Sequence, residues 1–150
     1  MIRVLLGLAV FSLLSCATTK SYTLDELPSE QLIFSFGGGF TGEYNEYLLL
    51  ENGQLFGRRW VATKLPFREF EPVDPDVAKD LFKSYETQGL GSLGYNDPGN
   101  LTKTIQHVSK GDTTSITWGG NRVQPSEGLR SYWRRLIAAT RDKKQVGAVR

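Results

Sequence analysis

The sequence predicts an α+β fold: an antiparallel sheet of about five strands, in two hairpin units, with two amphipathic helices packed on one face. Three observations support this prediction. Two stretches of strand-like sequence each contain a tight-turn dipeptide, Asn52-Gly53 and Gly111-Asp112. Two other stretches repeat apolar residues at helical spacing. The helical stretches follow strand-like ones, which gives the order β-β-β-α-β-β-α in a single domain over residues 31–141.

The first three strands are expected between residues 31 and 60. Residues 31–36 place Leu32, Phe34 and Phe36 on one face and Ile33 and Ser35 on the other, which suits a strand, and lead into a glycine cluster. The second strand, residues 44–50, leads into Asn52-Gly53, the strongest short hairpin signal. A two-residue loop there predicts pairs whose residue numbers sum to 105, with Leu49 facing Phe56 and Glu46 facing Arg59. Apolar and oppositely charged side chains then lie opposite each other, as a stable ladder requires.

The first helix is delimited by sequence signals at its two ends. Asp74 is a preferred N-cap residue, and Pro75 suits the first helical position. Gly89 can adopt the left-handed conformation that ends a helix. The proline-containing stretch before the helix, residues 65–72, is predicted to be an irregular connection. The apolar stripe expected to face the core is Ala78, Leu81, Phe82 and Tyr85.

A second hairpin and a second helix complete the predicted domain. With Gly111-Asp112 as a two-residue loop, the hairpin over residues 101–118 places four side chains on one face: Ile105, His107, Ile116 and Trp118. The last helix is expected to begin near Pro125, and residues 142–150 are expected to fray. Its apolar stripe is Leu129, Tyr132, Trp133, Leu136 and Ile137.

The first fifteen residues have the layout of a secretory signal peptide. Arg3 is the only charge, an apolar run covers residues 4–14, and the small Ser15 precedes Cys16. The apolar run is shorter than the roughly twenty residues that span a bilayer. An ordinary cleaved signal followed by a chance cysteine is the alternative interpretation.

The tetrapeptide Leu13-Leu14-Ser15-Cys16 resembles the lipobox of bacterial lipoproteins. The resemblance implies that Cys16 becomes the lipidated first residue of the mature protein, and residues 16–30 would then form the lipidated cysteine and a tether. We therefore expect a domain anchored to a membrane of the bacterial cell envelope. The absence of an aspartate after Cys16 favours the outer membrane, with the domain facing the periplasm or the cell surface.

Composition narrows the chemistry available to the domain. The chain has 150 residues, one cysteine and one histidine, with a formal net charge of +2. A lipidated Cys16 leaves no thiol for a disulfide or for redox chemistry. Basic residues concentrate in the last third of the chain, but a secreted, membrane-anchored protein meets little nucleic acid. We therefore expect no nucleic-acid partner.

No catalytic residue, metal site or cofactor is predicted. His107 is expected to be a core-edge histidine with a hydrogen-bonded ring, because a zinc site needs several clustered Cys, His or carboxylate ligands. Asp74 and Asp76 suit a helix N-terminus, where negative charge is favourable. Two G-x-G-x-x-G matches, starting at Gly37 and Gly89, lack the strand-to-helix context of a dinucleotide site. An enzyme that uses His107 remains an alternative.

The glycine cluster 37–42 has two interpretations. It is either a structural bend or a loop that contacts a partner through Phe40. The candidate partner-binding residues are Gly38, Gly39, Phe40, Thr41 and Gly42.

The element pattern over residues 31–140 resembles the emfourin-type inhibitors of bacterial thermolysin-like metalloproteases. The matching features are a strand that leads into Gly38-Gly39-Phe40-Thr41-Gly42, two hairpins around a helix, and Pro125-Ser126-Glu127-Gly128-Leu129 at the start of the last helix. The resemblance implies a peptidase inhibitor that presents the glycine loop. Our first expectation is a non-catalytic, lipid-anchored envelope domain that binds a protein, and peptidase inhibition is the alternative.

Overall fold

The structure is a computed structural model that describes residues 20–147, so the predicted signal peptide and Cys16 lie outside the described residues. It contains one six-stranded antiparallel sheet, two α-helices and a short 3₁₀ turn. The strands are β1 (Gln31–Gly38), β2 (Glu43–Leu49), β3 (Leu55–Trp60), β4 (Arg68–Phe70), β5 (Leu101–Ser109) and β6 (Asp112–Trp118). The helices are α1 (Pro75–Thr87) and α2 (Glu127–Thr140), and the 3₁₀ turn is Leu90–Ser92.

The α+β class and the antiparallel sheet are confirmed. The strands lie in the order β4-β3-β2-β1-β5-β6, so the two hairpins are joined through β1 and β5. The additional strand is β4, in the connection that we expected to be irregular. It pairs with β3 over three residues only, from Gly57 with Arg68 to Leu55 with Phe70. A strand of this length is too short to show an alternating pattern.

The first hairpin has a register one residue away from the prediction. Leu49 pairs with Leu55 and Glu46 with Arg58, so paired residue numbers sum to 104 rather than 105. The loop contains an additional residue because Gly53 adopts a φ of 90° and donates its N–H to the carbonyl of Leu50 at 2.9 Å. A glycine in the left-handed region is typical of three-residue hairpin loops.

The second hairpin keeps the predicted face but not the predicted loop residues. Its two loop residues are Lys110 and Gly111, with φ values of 51° and 93°, rather than Gly111 and Asp112. Two successive positive φ angles match the turn that the twist of a hairpin favours. The register moves by two residues, which preserves the side-chain alternation. Ile105, His107, Ile116 and Trp118 therefore share one face, as predicted.

Both helix starts are capped by side chains. Asp74 Oδ1 accepts a hydrogen bond from the N–H of Asp76 at 2.8 Å, which confirms the predicted start of α1. Gly89 follows the helix with a φ of 59°, as expected. The cap of α2 is Ser126, whose Oγ accepts from Leu129 N–H at 3.2 Å, so the helix begins slightly after Pro125.

The main core lies between the helices and the sheet. Phe82 of α1 contacts His107 of β5 with ring centroids 5.8 Å apart, and Trp133 of α2 contacts Phe34 of β1 at 6.3 Å. The two helices are linked where the Tyr132 hydroxyl donates to the carbonyl of Leu81 at 3.2 Å. Burial raises the pKa of Tyr132, so its hydroxyl remains a donor at physiological pH.

The segment before β1 and the segment after α2 both pack against the sheet. Tyr22 N–H donates to Gln54 Oε1, and Tyr22 and Leu27 pack on a second apolar cluster that contains Leu48 and Phe56. The described part of the predicted tether therefore lies along the domain. At the other terminus, where we expected fraying, Val146 N–H donates to Glu69 O at 2.9 Å and extends the pairing of β4. Over residues 20–147, neither helix has the length and apolar character needed to cross a membrane.

Candidate protein-contact surface

Three loops meet at one end of the sheet, which we call the loop end. They are the β1–β2 loop (residues 39–42), the segment before β5 (93–100) and the segment after β6 (119–126). Strand pairing brings them together because Gly38 lies opposite both Glu43 and Leu101, and Trp118 lies opposite Lys103. The opposite end of the sheet carries the β2–β3 and β5–β6 turns, and we call it the turn end.

The loop end presents the most exposed large apolar side chain of the described residues. Phe40, at the tip of the β1–β2 loop, is fully exposed, with a relative accessibility of 106 %. Leu101 at the start of β5 is 63 % exposed, and Val61 directly after β3 is 57 % exposed. Adjacent strands lie about 4.8 Å apart, so these side chains are distributed over about three strand spacings at the same edge. A fully exposed aromatic ring such as Phe40 is the candidate contact group of this edge.

The base of the β1–β2 loop is fixed by backbone contacts. Gly39 N–H donates to Asn100 O at 2.6 Å, which ties this loop to the segment before β5. Gly38 has a φ of 104°, and a Cβ atom there would lie 2.3 Å from the same oxygen. Only glycine allows this approach of the two backbones. The five predicted partner-binding residues, Gly38 to Gly42, are thus held together in one turn with the Phe40 ring outside it.

A buried carboxylate braces the other two loops. Asp97 is 2 % exposed, and its side chain accepts hydrogen bonds from the backbone N–H groups of Arg122 and Val123 at 2.8 and 2.9 Å. The Arg122 Nε donates to the same carboxylate at 2.8 Å. The Arg122 guanidinium beside Asp97, together with these backbone donors, lowers the pKa of that carboxyl group. We had interpreted residues 96–100 only as a turn, so this brace was missed.

Because its pKa is lowered in the folded state, Asp97 stabilises the fold above its unfolded-state pKa of about 3.9, and this contribution is lost as the pH falls through the folded-state value. Asp97→Asn is therefore expected to lower the melting temperature at pH 7, since its amide NH₂ would face backbone donors. The difference from the wild-type chain should shrink below about pH 4. Asp112→Asn, at an exposed position, is the matched control. A wild-type minus Asp97→Asn difference that stays constant from pH 7 to pH 3 would contradict this role.

The other sequence candidates lie outside the loop end. His107 is in β5 beneath α1, where it contacts Phe82 and Tyr85. Its ring is buried as expected. The expected hydrogen bond is not formed at Nε2, which lies 3.3 Å from Glu30 Oε2 but makes no hydrogen bond to any described residue. Asp74 is engaged as the cap of α1. Of the basic side chains on α2, Arg130 and Arg134 pair with Glu127, and Arg135 pairs with Asp80.

Comparison with known proteins gives no family assignment. No protein-family model matches the chain, and no curated protein matches it significantly. The interpretation of the loop end therefore depends on its geometry and on the resemblances noted in the sequence.

Proposed function

We propose that this chain is a lipid-anchored cell-envelope domain that binds another protein with its loop end and performs no catalysis itself. The observation that carries the proposal is the complete exposure of Phe40 on a loop whose base is fixed. A large aromatic side chain on a pre-ordered loop provides contact area at a low entropic cost, which is typical of interface anchors.

The arrangement of the helices supports this use of the sheet end. α1 contacts His107 and α2 contacts Phe34. Leu32 pairs with His107 and Phe34 pairs with Ile105, so Phe34 and His107 point to the same face of the sheet. We infer that both helices pack on that one face. The segment over residues 20–30 covers part of the opposite face through Tyr22 and Leu27. The loop end is then an edge with exposed apolar groups that neither layer covers.

The position of the proposed anchor also supports the loop end as the contact surface. Lys20 O accepts from Asn52 Nδ2 at 2.7 Å, so the first described residue lies at the turn end. Cys16 precedes Lys20 by four residues, which limits its distance from that end to about 14 Å. The eight residues of β1 place the loop end about 25 Å farther away. A lipid on Cys16 would therefore hold the turn end near the membrane and direct Phe40 away from it.

Peptidase inhibition is the more specific form of the same proposal. An exposed loop tip on a fixed base is the shape required to enter the cleft of a peptidase, and the emfourin resemblance involves these residues. In this form the partner is a secreted metalloprotease and Phe40 occupies a pocket of its cleft. The same surface serves both forms, so the identity of the partner distinguishes them.

Site-specific photocrosslinking tests the proposal. A benzoylphenylalanine residue at position 40 of the full-length chain is expected to form a covalent adduct with one protein of the envelope, identified by mass spectrometry. The matched control is the same residue at position 77, where Val77 is 44 % exposed on α1 near the turn end. Absence of an adduct from position 40, or the same adducts from both positions, would refute the proposal. A protease in the position-40 adduct would favour the inhibitor.

A further inference from the structure

The side chain of His107 contains a buried nitrogen atom that makes no hydrogen bond within the described chain, although a carboxylate lies 3.3 Å from it. The residue is 6 % exposed, and its Nε2 makes no hydrogen bond to any residue that the structure describes. Buried polar atoms are almost always satisfied, so an exception requires an explanation. A neutral imidazole nitrogen is also a common ligand for transition metals.

Two carboxylates lie next to this nitrogen. Glu30 Oε2 is 3.3 Å from His107 Nε2, and one potential ligand atom from each of Glu30, Glu86 and His107 lies within 4.8 Å of the others. The remaining oxygen of Glu30 accepts a hydrogen bond from Ser109 Oγ at 2.8 Å, which orients the carboxylate. Such an outer hydrogen bond is typical of metal-binding carboxylates.

The two carboxylates of this cluster carry negative charge that no lysine or arginine of the described chain neutralises. Apart from the contact between Glu30 and His107, neither Glu30 nor Glu86 forms an ion pair with a basic side chain in the described chain. Glu86 lies in the last turn of α1, a turn that contains no basic residue. Two neighbouring carboxylates repel each other, and a helix C-terminus favours positive charge. A divalent cation would reduce the repulsion between the carboxylates and interact favourably with the C-terminus of α1.

We propose that Glu30, Glu86 and His107 bind a Zn²⁺ ion. Zinc lies about 2.0–2.2 Å from nitrogen and oxygen ligands, so two ligands of a tetrahedral site lie about 3.3 Å apart. The observed separation of Glu30 Oε2 and His107 Nε2 has this length. Glu86 is exposed and can rotate to supply the third ligand. One imidazole with two carboxylates favours a first-row transition metal over Mg²⁺, which prefers an all-oxygen site.

The fourth position of the ion would face solvent. A depression of about 330 Å³ opens beside Glu86 and His107 and is bordered by Gly89, Gly91 and Thr114. It provides a path for the ion and space for a bound water. The site would also connect the segment before β1 to α1 and β5, so the ion fixes the chain that leads toward Cys16. Our sequence analysis predicted no metal site because neither a second histidine nor a free cysteine is available. It did not consider Glu30 and Glu86, which are distant from His107 in sequence.

The test uses the full-length chain without a histidine tag, treated with chelator. Because His107 is the only histidine, its imidazole signals in ¹⁵N-edited NMR are unambiguous. Adding one equivalent of Zn²⁺ is expected to shift the Nε2 signal, and EDTA is expected to reverse the shift. Titration calorimetry should give one ion per chain. Glu86→Gln, at an exposed position that the fold does not require, should weaken Zn²⁺ binding at least about 10-fold.

Glu51→Gln is the matched control, because Glu51 is an exposed carboxylate outside this cluster and should leave Zn²⁺ affinity unchanged. Glu30→Gln should weaken binding as Glu86→Gln does. An unchanged Nε2 signal at equimolar Zn²⁺ would overturn the proposal. Equal Zn²⁺ affinity in the wild-type chain, Glu30→Gln and Glu86→Gln would also overturn it. Mg²⁺ that binds as tightly as Zn²⁺ would overturn the choice of metal.

Discussion

Phe34→Ala is expected to lower the free energy of unfolding by about 3–5 kcal/mol, because it leaves a cavity at the centre of the core. Phe34 is fully buried in β1, where its ring stacks on Tyr47 at 5.3 Å and meets the edge of Trp133 at 6.3 Å. It therefore connects β2, β1 and α2 in one contact. Small domains are stable by about 5–15 kcal/mol, so the loss is a large fraction of the total. Urea unfolding followed by tryptophan fluorescence measures it.

Phe40→Ala is the matched control for this stability prediction. It removes the same atoms from a ring that is fully exposed, so the free energy of unfolding should change by no more than about 0.5 kcal/mol. Equal losses in the two variants would contradict the placement of Phe34 in the core and of Phe40 at the loop tip.

The fold class and the helices could be predicted because their signals are local. Asp74 and Gly89 delimit α1 by their own backbone requirements, and the stripe from Ala78 to Tyr85 follows from helical periodicity. The two hairpin registers were predicted incorrectly, because local signals indicate a turn but do not determine its length or exact position. Asn52-Gly53 correctly indicated a hairpin, but the sequence did not indicate that Glu51 would join them as a third loop residue. The β4 strand depends on pairing with β3 and on Phe70 packing against Tyr47, which are both tertiary effects.

The loop end could be predicted only in part, because only some of its features have local sequence signals. The glycine cluster 37–42 predicted either a structural bend or a loop that contacts a partner through Phe40, and the structure exposes that side chain. The brace at Asp97 could not be predicted, because its partner Arg122 is 25 residues away and is brought close by the β5–β6 hairpin. The cluster of Glu30, Glu86 and His107 likewise combines three separate elements. Spacing rules detect ligands on one helix or loop and do not detect such combinations.

Phe40→Ala is expected to weaken binding of the partner captured at position 40 by about 30-fold or more, while the melting temperature stays unchanged. An aromatic hot-spot residue contributes about 2 kcal/mol or more to binding, and 1.4 kcal/mol corresponds to a tenfold change in Kd. The side chain makes no core contact, so this loss would come from the interface alone. Calorimetric titration of the full-length chain with the identified partner provides the Kd.

Two further variants test whether the partner binds at the loop end or elsewhere on the surface. Leu101→Ala changes a 63 % exposed side chain beside Gly39 and should weaken binding less than Phe40→Ala, because it lies at the margin of the loop tip. Val77→Ala, near the turn end, should bind as the wild-type chain does. If the partner is a metalloprotease, the inhibition constant should increase in the same order across the variants. Both variants remove exposed apolar atoms, but only Phe40→Ala removes them from the loop tip. The same Kd for Phe40→Ala and Val77→Ala would therefore show that the partner does not bind the loop tip.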